Sequence, residues 1–168
     1  ITERKTIIEI IGNEKIEKVL VEKKLAIKRE HYLGITYDTN YRTPVVIASY
    51  EGGIEVEEIA AKGKAVVRQI DVSKGLQAFE AREILAEAGF NKQEMLRASQ
   101  VLTKLYECFV KFDCKTAEIN PLIQTPGGEF LPSEFIAADA KVVLDDDARF
   151  RHAELQFGRD ENSQQSLR

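Results

Sequence analysis

The sequence predicts an α+β domain, in which a mostly antiparallel sheet carries helices packed on one face. Its first part alternates apolar and polar residues and is rich in β-branched side chains, as half-buried strands are. Its middle places apolar residues at helical spacing, and its last third returns to short apolar runs. Crossover strand–helix–strand units recur too rarely for a doubly wound parallel sheet.

The strands of the first part are separated by turn residues. Asp38-Thr39-Asn40 is typical of a turn, so the runs on either side of it are expected to pair as an antiparallel hairpin. Gly52-Gly53 interrupts the pattern before alternation resumes. The predicted strands of this part cover residues 19–22, 32–37, 45–49, 54–59 and 66–72.

Two helices are predicted in the middle of the chain. The first covers residues 77–88, with Gly89 as its C-terminal stop. Asn91 is a good N-cap for the second helix. Apolar residues recur along that helix at spacings of three and four, which indicates a face packed on the core: Met95, Ala98, Leu102, Leu105 and Phe109.

The last predicted strands carry oxygen-bearing side chains where they end. A turn-rich stretch at residues 124–129 would fold residues 135–140 back on residues 116–119 and 122–124. Such a hairpin brings Asn120 close to Asp139, with a second carboxylate at Glu118. Amide and carboxylate oxygens suit a hard cation such as Mg²⁺, which then completes its shell with water and phosphate oxygens.

These residues therefore indicate a nucleotide site, although the chain has no Gly-x-x-x-x-Gly-Lys phosphate loop. Simpler interpretations stay open for two of them. Glu118 could be a solvent-exposed carboxylate at a strand end, and Asn120 could only form the turn before Pro121.

Composition narrows the class of partner. The chain has 168 residues and a net charge of −4, without a dense block of Lys and Arg. This argues weakly against nucleic acid or an anionic membrane surface as the main partner. Its apolar runs are too short to span a bilayer. Cys108 and Cys114, without a secretory signal, are expected to be reduced thiols of a cytoplasmic protein.

The two ends suggest a piece of a larger protein. The chain starts without Met and closes on a polar run. We expect residues 1–152 to form one nucleotide-binding lobe and residues 153–168 to form a polar tail, or the start of a linker to a further domain.

Six motifs in order resemble the β subunits of succinyl-CoA synthetases, which are ATP-grasp ligases, over residues 19–152. Each motif alone would be weak, but their order and spacing are specific. The motifs are Val19-Leu20-Val21-Glu22, Lys28-Arg29-Glu30-His31-Tyr32-Leu33-Gly34, Ser49-Tyr50-Glu51-Gly52-Gly53-Ile54-Glu55-Val56-Glu57, Glu118-Ile119-Asn120-Pro121-Leu122, Asp139-Ala140-Lys141 and Phe150-Arg151-His152.

The resemblance implies an ATP-grasp lobe and a reaction of the tricarboxylic acid cycle. Such enzymes join a carboxylic acid to coenzyme A while ATP or GTP is cleaved to the diphosphate and phosphate. An acyl phosphate forms, and a histidine of a partner α subunit is transiently phosphorylated. Mg²⁺ supplies most of the charge neutralisation. The family implies the cytoplasm, or the mitochondrial matrix in a eukaryote.

The resemblance also implies a role for six residues. Asn120 and Asp139 would be Mg²⁺ ligands, and Glu118 would face the phosphohistidine loop of the partner. The nucleotide contacts would be Glu22 near the base or ribose, the Leu25 backbone along the base, and Glu30.

Simpler structural interpretations remain for several of these residues. Glu22 and Glu30 could be solvated charges in a region dense in Lys and Glu, and Gly52-Gly53 could be a plain turn or an active-site loop. The two histidines, His31 and His152, are expected to be structural or surface residues.

The chain departs from the family at both ends. We expect these 168 residues to lack two parts of the family's β subunit. They are the lobe before residue 19 whose lysine and glycine-rich loop contact the phosphates, and the domain after residue 168 that contacts the α subunit and the acid. Residues 128–135 are also longer than the usual hairpin. We therefore expect little or no ligase activity from these residues alone.

Other functions stay open at this point. They are a malate–CoA ligase, the ligase module of ATP-citrate lyase, a truncated domain that only supports subunit assembly, and an unrelated β-rich binding module.

Overall fold

The computed structural model describes residues 24–39, 42–54, 58–59, 63–127 and 133–155. Within these residues the strand pairings are antiparallel, in the order β3-β2-β1-β4-β5, and β6 also pairs with β4. The predicted α+β class is therefore confirmed. The elements are β1 (Arg29–Asp38), β2 (Thr43–Ser49), β3 (Ala65–Gln69), α1 (Ala78–Glu87), α2 (Lys92–Lys111), β4 (Cys114–Gln124), β5 (Phe135–Ala137), β6 (Ala140–Leu144) and a 3-10 helix, η1 (Asp146–Arg151).

The core lies between one face of the sheet and the two helices. Successive side chains of a strand point to opposite faces, so the buried residues of β1 and β4 define which face meets the helices. The apolar face of α2 supplies the predicted stripe, since Ala98, Leu102, Leu105 and Phe109 are buried and Met95 is partly buried against them. The members of this cluster with 0% exposure are Leu33, Ile35, Val46, Ala48, Ala81, Leu85, Ala98, Leu102, Ala117 and Leu122.

Asn91 caps α2 as the sequence predicts. Its side-chain oxygen accepts hydrogen bonds from the amides of Gln93 and Glu94, at 3.0 and 3.1 Å. The Glu94 carboxylate reaches back to the Asn91 amide at 3.0 Å, which completes a capping box. Three of the four backbone amides that lack a partner within the helix at its start are thereby satisfied.

Several predicted strand boundaries were wrong, and β1 and β2 begin three and two residues earlier than predicted, at Arg29 and Thr43. β3 stops at Gln69 because Asp71 starts a turn, in which its carboxylate accepts from the Ser73 amide at 2.9 Å. Residues 116–119 and 122–124 belong to one strand, β4, which continues through a cis Asn120–Pro121 peptide. Residues 135–140 divide into β5 and β6, because the chain leaves β4 between them.

The segment predicted to alternate at residues 54–59 lies partly outside the described residues. Glu58 and Ile59 are helical rather than extended. The segment predicted as a strand at residues 19–22 lies wholly outside the described residues. In the described part of the chain, no helix is long and apolar enough to cross a membrane.

A cluster of buried polar side chains connects β1, β4 and α2, through His31, Gln124 and Glu94. His31 is fully buried, and its Nδ1 lies 3.0 Å from the Tyr50 carbonyl oxygen, which only accepts, so Nδ1 carries the proton. The Glu94 carboxylate accepts from the Tyr50 hydroxyl at 3.2 Å and from Gln124 Nε2 at 3.1 Å. The Phe90 ring packs 4.6 Å from the imidazole. Burial is the main cause that lowers the pKa of His31 to about 4.

This histidine should make the protein less stable in mild acid. The imidazole titrates near 6.5 in the unfolded chain and near 4 in the native state, so the unfolded state binds more protons between these values. The free energy of unfolding should therefore fall by up to about 3 kcal/mol as the pH drops from 6.5 to 4. Urea unfolding of the wild type and His31→Gln, across this range, measures the difference in slope.

The second histidine, His152, provides a control because its pKa is shifted in the opposite direction. His152 Nε2 lies 2.7 Å from the Asp113 carboxylate, whose hydrogen bond is the main cause that raises the pKa of His152. The stability that the His152–Asp113 contact adds is therefore fully present below pH 6.5, and it is lost as the pH rises through the native pKa of His152. The free energy of unfolding of His152→Gln should still fall as the pH drops from 6.5 to 4, because His31 is unchanged in this variant. Equal slopes in His31→Gln and the wild type would show that His31 is not the cause.

Candidate functional site

The candidate site lies on the sheet face that points away from α1 and α2. Ala117 and Ile119 of β4 pack into the core, so Glu118 and Asn120 point to the opposite face. The register between β1 and β4 then shifts by one residue, between the pairs Leu33–Ile119 and His31–Leu122. This bulge returns Leu122 to the core while Asn120 stays on the site face.

Asn120 and Asp139 lie side by side. The backbone amide of Asn120 donates to the backbone carbonyl oxygen of Asp139 at 3.1 Å. The backbone amide of Ala138 donates to the Pro121 carbonyl oxygen, also at 3.1 Å. The proximity that the sequence predicted is therefore present. Asp139 sits in the gap between β5 and β6, where its exposed carboxylate accepts from the Ala140 amide at 2.8 Å.

The Asn120 side chain also holds a loop. Its Oδ1 accepts from the Gly53 amide at 2.8 Å, and its Nδ2 donates to the Ile54 carbonyl oxygen at 2.8 Å. The interpretation of Asn120 as only a turn former is therefore wrong, because the amide links β4 to the segment after β2. An amide oxygen accepts at two lone pairs, so Oδ1 keeps one for a cation.

The Gly52-Gly53 pair lies directly against β1. A Cβ on Gly52 would overlap the backbone carbonyl of His31, and a Cβ on Gly53 would overlap the Glu30 carboxylate. Gly53 also has a φ of 73°, a conformation that favours glycine. The pair is thus a close backbone approach, and it brings Glu30 beside the loop that Asn120 holds.

Glu118 is held by its neighbours on two strands. Its Oε2 accepts from the Tyr32 hydroxyl at 2.9 Å, and its Oε1 lies 3.8 Å from Lys141 Nζ on β6. The Glu118 side chain is 20% exposed. The alternative of a freely solvated carboxylate at a strand end is therefore wrong, since Glu118 lies mid-strand with a phenol donor.

Of the three predicted nucleotide contacts, Glu30 is the one that the described contacts place beside this site. Glu22 lies outside the described residues. Leu25 is half-buried in the irregular segment before β1, and the nearby Lys28 amide donates to the Gln124 carbonyl oxygen at 2.8 Å. The described contacts join Glu30 to the Asn120 loop but do not join Leu25 to it.

The donor set fits a cation with few protein ligands. Among the described residues, no group of three or more His, Cys, Asp or Glu side chains could hold a metal ion. A site built on Asn120 and Asp139 would thus offer an amide oxygen and a carboxylate, and water or phosphate would supply the remaining ligands. That is the usual way in which proteins hold Mg²⁺.

Sequence reasoning missed two residues next to this site. The sequence places Tyr32 in a predicted strand and in a motif, and Lys141 in a motif, but predicts no site role for either residue. The signal that could have found Tyr32 is its spacing from Gly34, because a residue without a side chain two positions along leaves room for a ring on the same face.

A sequence profile of the ATP-grasp domain matches residues 5–124 of the chain. The chain belongs to the ATP-grasp family. The ATP-grasp fold and the sheet described above agree on the predicted fold class.

Curated ATP-grasp relatives narrow the resemblance. The chain is 41% identical over 149 residues to the ADP-forming succinate–CoA ligase β subunit of Methanocaldococcus jannaschii. It is 40% identical over 142 residues to the GDP-forming β subunit of Thermus thermophilus. These matches cover 88% and 83% of the chain but only 40% and 36% of the relatives. The chain thus spans about two fifths of their length, and its resemblance to succinate–CoA ligase β subunits is confirmed.

Solved structures support the same fold. ATP citrate lyase from Methanothrix soehngenii, in complex with citrate and coenzyme A, matches 81% of this chain and 30% of its own, with a TM-score of 0.59 and 22% identity. ACD1 of Ca. Korarchaeum cryptofilum, in complex with coenzyme A, matches 74% of this chain and 52% of its own, with a TM-score of 0.51 and 16% identity. At these identities the likeness concerns the ATP-grasp fold alone.

Proposed function

We propose that this ATP-grasp chain is the nucleotide- and Mg²⁺-binding part of an acid–CoA ligase. In this role it exchanges a phosphoryl group between ATP or GTP and a histidine of a partner α subunit. The observation that carries the proposal is that Glu118 and Asn120 lie on one face of the sheet, outside the core, with Asp139 next to Asn120. The two curated relatives described above are named succinate–CoA ligases, which supports the same reaction class.

The chain's own residues would act by positioning and by charge. Asn120 and Asp139 would hold Mg²⁺, which when bound neutralises the charge of the nucleotide phosphates. Glu118 would accept a hydrogen bond from one imidazole nitrogen of the partner, so that the other nitrogen directs its lone pair at the γ-phosphorus. As the P–N bond forms, the bond from the γ-phosphorus to its bridging oxygen breaks, and the nucleoside diphosphate leaves.

The rest of the reaction belongs to the partner and to regions outside this chain. The phosphohistidine would pass its phosphoryl group to the carboxylic acid, and coenzyme A would displace phosphate from the acyl phosphate. We expect succinate as the acid, within the tricarboxylic acid cycle. Malate and citrate are the alternatives that a coupled assay of the full-length complex should include.

The nucleotide and the compartment also belong to the proposal. ADP- and GDP-forming relatives match the chain at 41% and 40% identity, so overall identity does not select the nucleotide. Cys108 and Cys114 are free thiols, which agrees with a reducing compartment such as the cytoplasm, or the matrix of a mitochondrion.

Asp139→Ala tests the proposal in the full-length subunit paired with its α partner. We expect transfer of the γ-phosphoryl group of labelled ATP or GTP to the partner's histidine to fall by roughly 100-fold or more, because half of the protein's cation ligands are removed. Rapid-quench measurement of the labelled partner gives the rate. Asp146→Ala is the matched control, since its carboxylate is 83% exposed on η1 and should leave the rate unchanged.

One result would overturn the proposal. It is wild-type turnover in Asp139→Ala, combined with no Mg²⁺–nucleotide binding by the wild-type subunit in calorimetry. That outcome would favour the role of a non-catalytic assembly domain. Robust acyl-CoA formation by these 168 residues alone with the α partner would contradict the separate expectation that they have little or no ligase activity by themselves.

A further inference from the structure

Tyr32 lies along the site face of β1 rather than pointing away from the sheet. Its side chain is buried, with 3% of the residue exposed. A Cβ built on Gly34 would lie 2.9 Å from Cζ and 3.0 Å from Cε1 of the Tyr32 ring. The ring therefore occupies the space where a side chain at position 34 would stand.

This path delivers the hydroxyl to one residue of the neighbouring strand. Gly34 is directly opposite Glu118 in the antiparallel register of β1 and β4. A ring that crosses Gly34 therefore ends beside the Glu118 carboxylate, and the Tyr32 hydroxyl donates to Oε2 at 2.9 Å. Long side chains often reach such diagonal neighbours across two strands.

The two carboxylate oxygens of Glu118 then have different surroundings. Oε2 is taken by the phenol, in a hydrogen bond strengthened by the carboxylate charge. Oε1 faces Lys141 Nζ at 3.8 Å, which is beyond hydrogen-bond distance, and that lysine side chain is 70% exposed. Oε1 is thus the oxygen that an incoming group can approach.

We propose that Tyr32 is a positioning residue, which fixes the Glu118 carboxylate so that Oε1 meets the partner's histidine. This inference depends on the proposed function of Glu118. A glutamate side chain has several rotatable bonds, and a fixed donor removes most of its alternatives before the partner arrives. Gly34 is part of the same device, because any side chain there would displace the ring.

Tyr32→Phe in the full-length subunit, with its α partner, removes the donor and keeps the ring. We expect kcat for phosphorylation of the partner's histidine to fall roughly 10- to 100-fold, as for a misplaced reacting group. The KM for the nucleotide should stay within about twofold, because Tyr32 acts on the histidine side of the reaction. Tyr37→Phe is the matched control on the same strand, with a ring that is half exposed and packs on Phe109, and it should match the wild type.

A double-mutant cycle separates positioning from packing. If Tyr32 acts through Glu118, adding Tyr32→Phe to Glu118→Gln should lower kcat by less than about twofold. Equal losses in both backgrounds, or wild-type kcat in Tyr32→Phe while Glu118→Gln is slow, would overturn the inference. Wild-type kcat in Glu118→Gln would instead overturn the proposed role of Glu118, and the role of Tyr32 with it.

A second route covers the case in which Tyr32→Phe does not fold. Gly34→Ala displaces the ring and leaves the hydroxyl in the chain. It should lower kcat in the wild-type background and have little effect beside Glu118→Gln. A loss of the same size in both backgrounds would contradict positioning through Glu118.

Discussion

Replacing Asn120 by alanine should impair both the reaction and the fold. It removes the amide oxygen proposed as a Mg²⁺ ligand and both hydrogen bonds to the loop, from the Gly53 amide and to the Ile54 carbonyl. We expect partner phosphorylation by the full-length complex to fall roughly 100-fold or more, by loss of charge stabilisation. The free energy of unfolding should fall by about 2 kcal/mol, for two hydrogen bonds to backbone groups.

Asn120→Asp separates the two roles of this side chain. Aspartate keeps an oxygen for the cation and for the Gly53 amide, but it has no donor for the Ile54 carbonyl. If Asn120 is a ligand, the Mg²⁺ concentration for half-maximal rate should rise in Asn120→Ala and stay near wild type in Asn120→Asp. An unchanged Mg²⁺ dependence in both variants would leave Asn120 only the role of holding the loop.

Asn91→Ala is the matched control for the loss of stability. Asn91 also accepts two backbone amides, but at the start of α2 and on the other side of the sheet. Its removal should cost about 1 kcal/mol, as for other N-caps. The rate of partner phosphorylation should not change. A comparable loss of rate in Asn91→Ala would mean that reduced stability, rather than the site, causes the defect of Asn120→Ala.

Gly52→Ala should be the most damaging change to the fold among the described glycines near the site. The new Cβ would overlap the Cα, C and O atoms of His31. These atoms belong to β1, which is paired with β2 on one side and β4 on the other, so the strand has little room to move. We expect the free energy of unfolding to fall by about 3 kcal/mol, as for an overpacked core.

Gly52→Ala should also impair nucleotide binding at the candidate site. Displacing the loop would weaken the Gly53–Asn120 hydrogen bond, so nucleotide affinity should fall as well. Gly63→Ala is the control, because nothing lies within 4 Å of its Cβ position, although its φ of 63° is unfavourable for alanine. It should cost about 1 kcal/mol. Equal stability of the two variants in urea would show that the loop moves freely away from β1.

Much of the fold followed from local patterns. The hairpin of β1 and β2 and the α2 helix with its Asn91 cap were predicted because turn residues, caps and apolar spacing act over a few residues. The division of residues 135–140 into β5 and β6 was missed, because it depends on where β4 offers partners rather than on the residues themselves.

The candidate site divides in the same way. The sequence suggested that Asn120 and Asp139 meet, because a turn-rich stretch between two apolar runs predicts a hairpin. It did not suggest that the Asn120 amide holds the loop at Gly53, or that Tyr32 binds Glu118. Those contacts join residues 67 and 86 positions apart, and no local pattern encodes them.

The sequence by itself determined the class of fold, the family and the residue types of a cation and nucleotide site. Apolar periodicity and side-chain chemistry, which are properties of the chain alone, indicated the fold class and the residue types, and the resemblance of six motifs in order indicated the family. Only the tertiary structure decided which atoms are already engaged. The bulge in β4 returns Leu122 to the core beyond Asn120, and the space above Gly34 admits the Tyr32 ring beside Glu118, since both depend on how β1 and β4 pair.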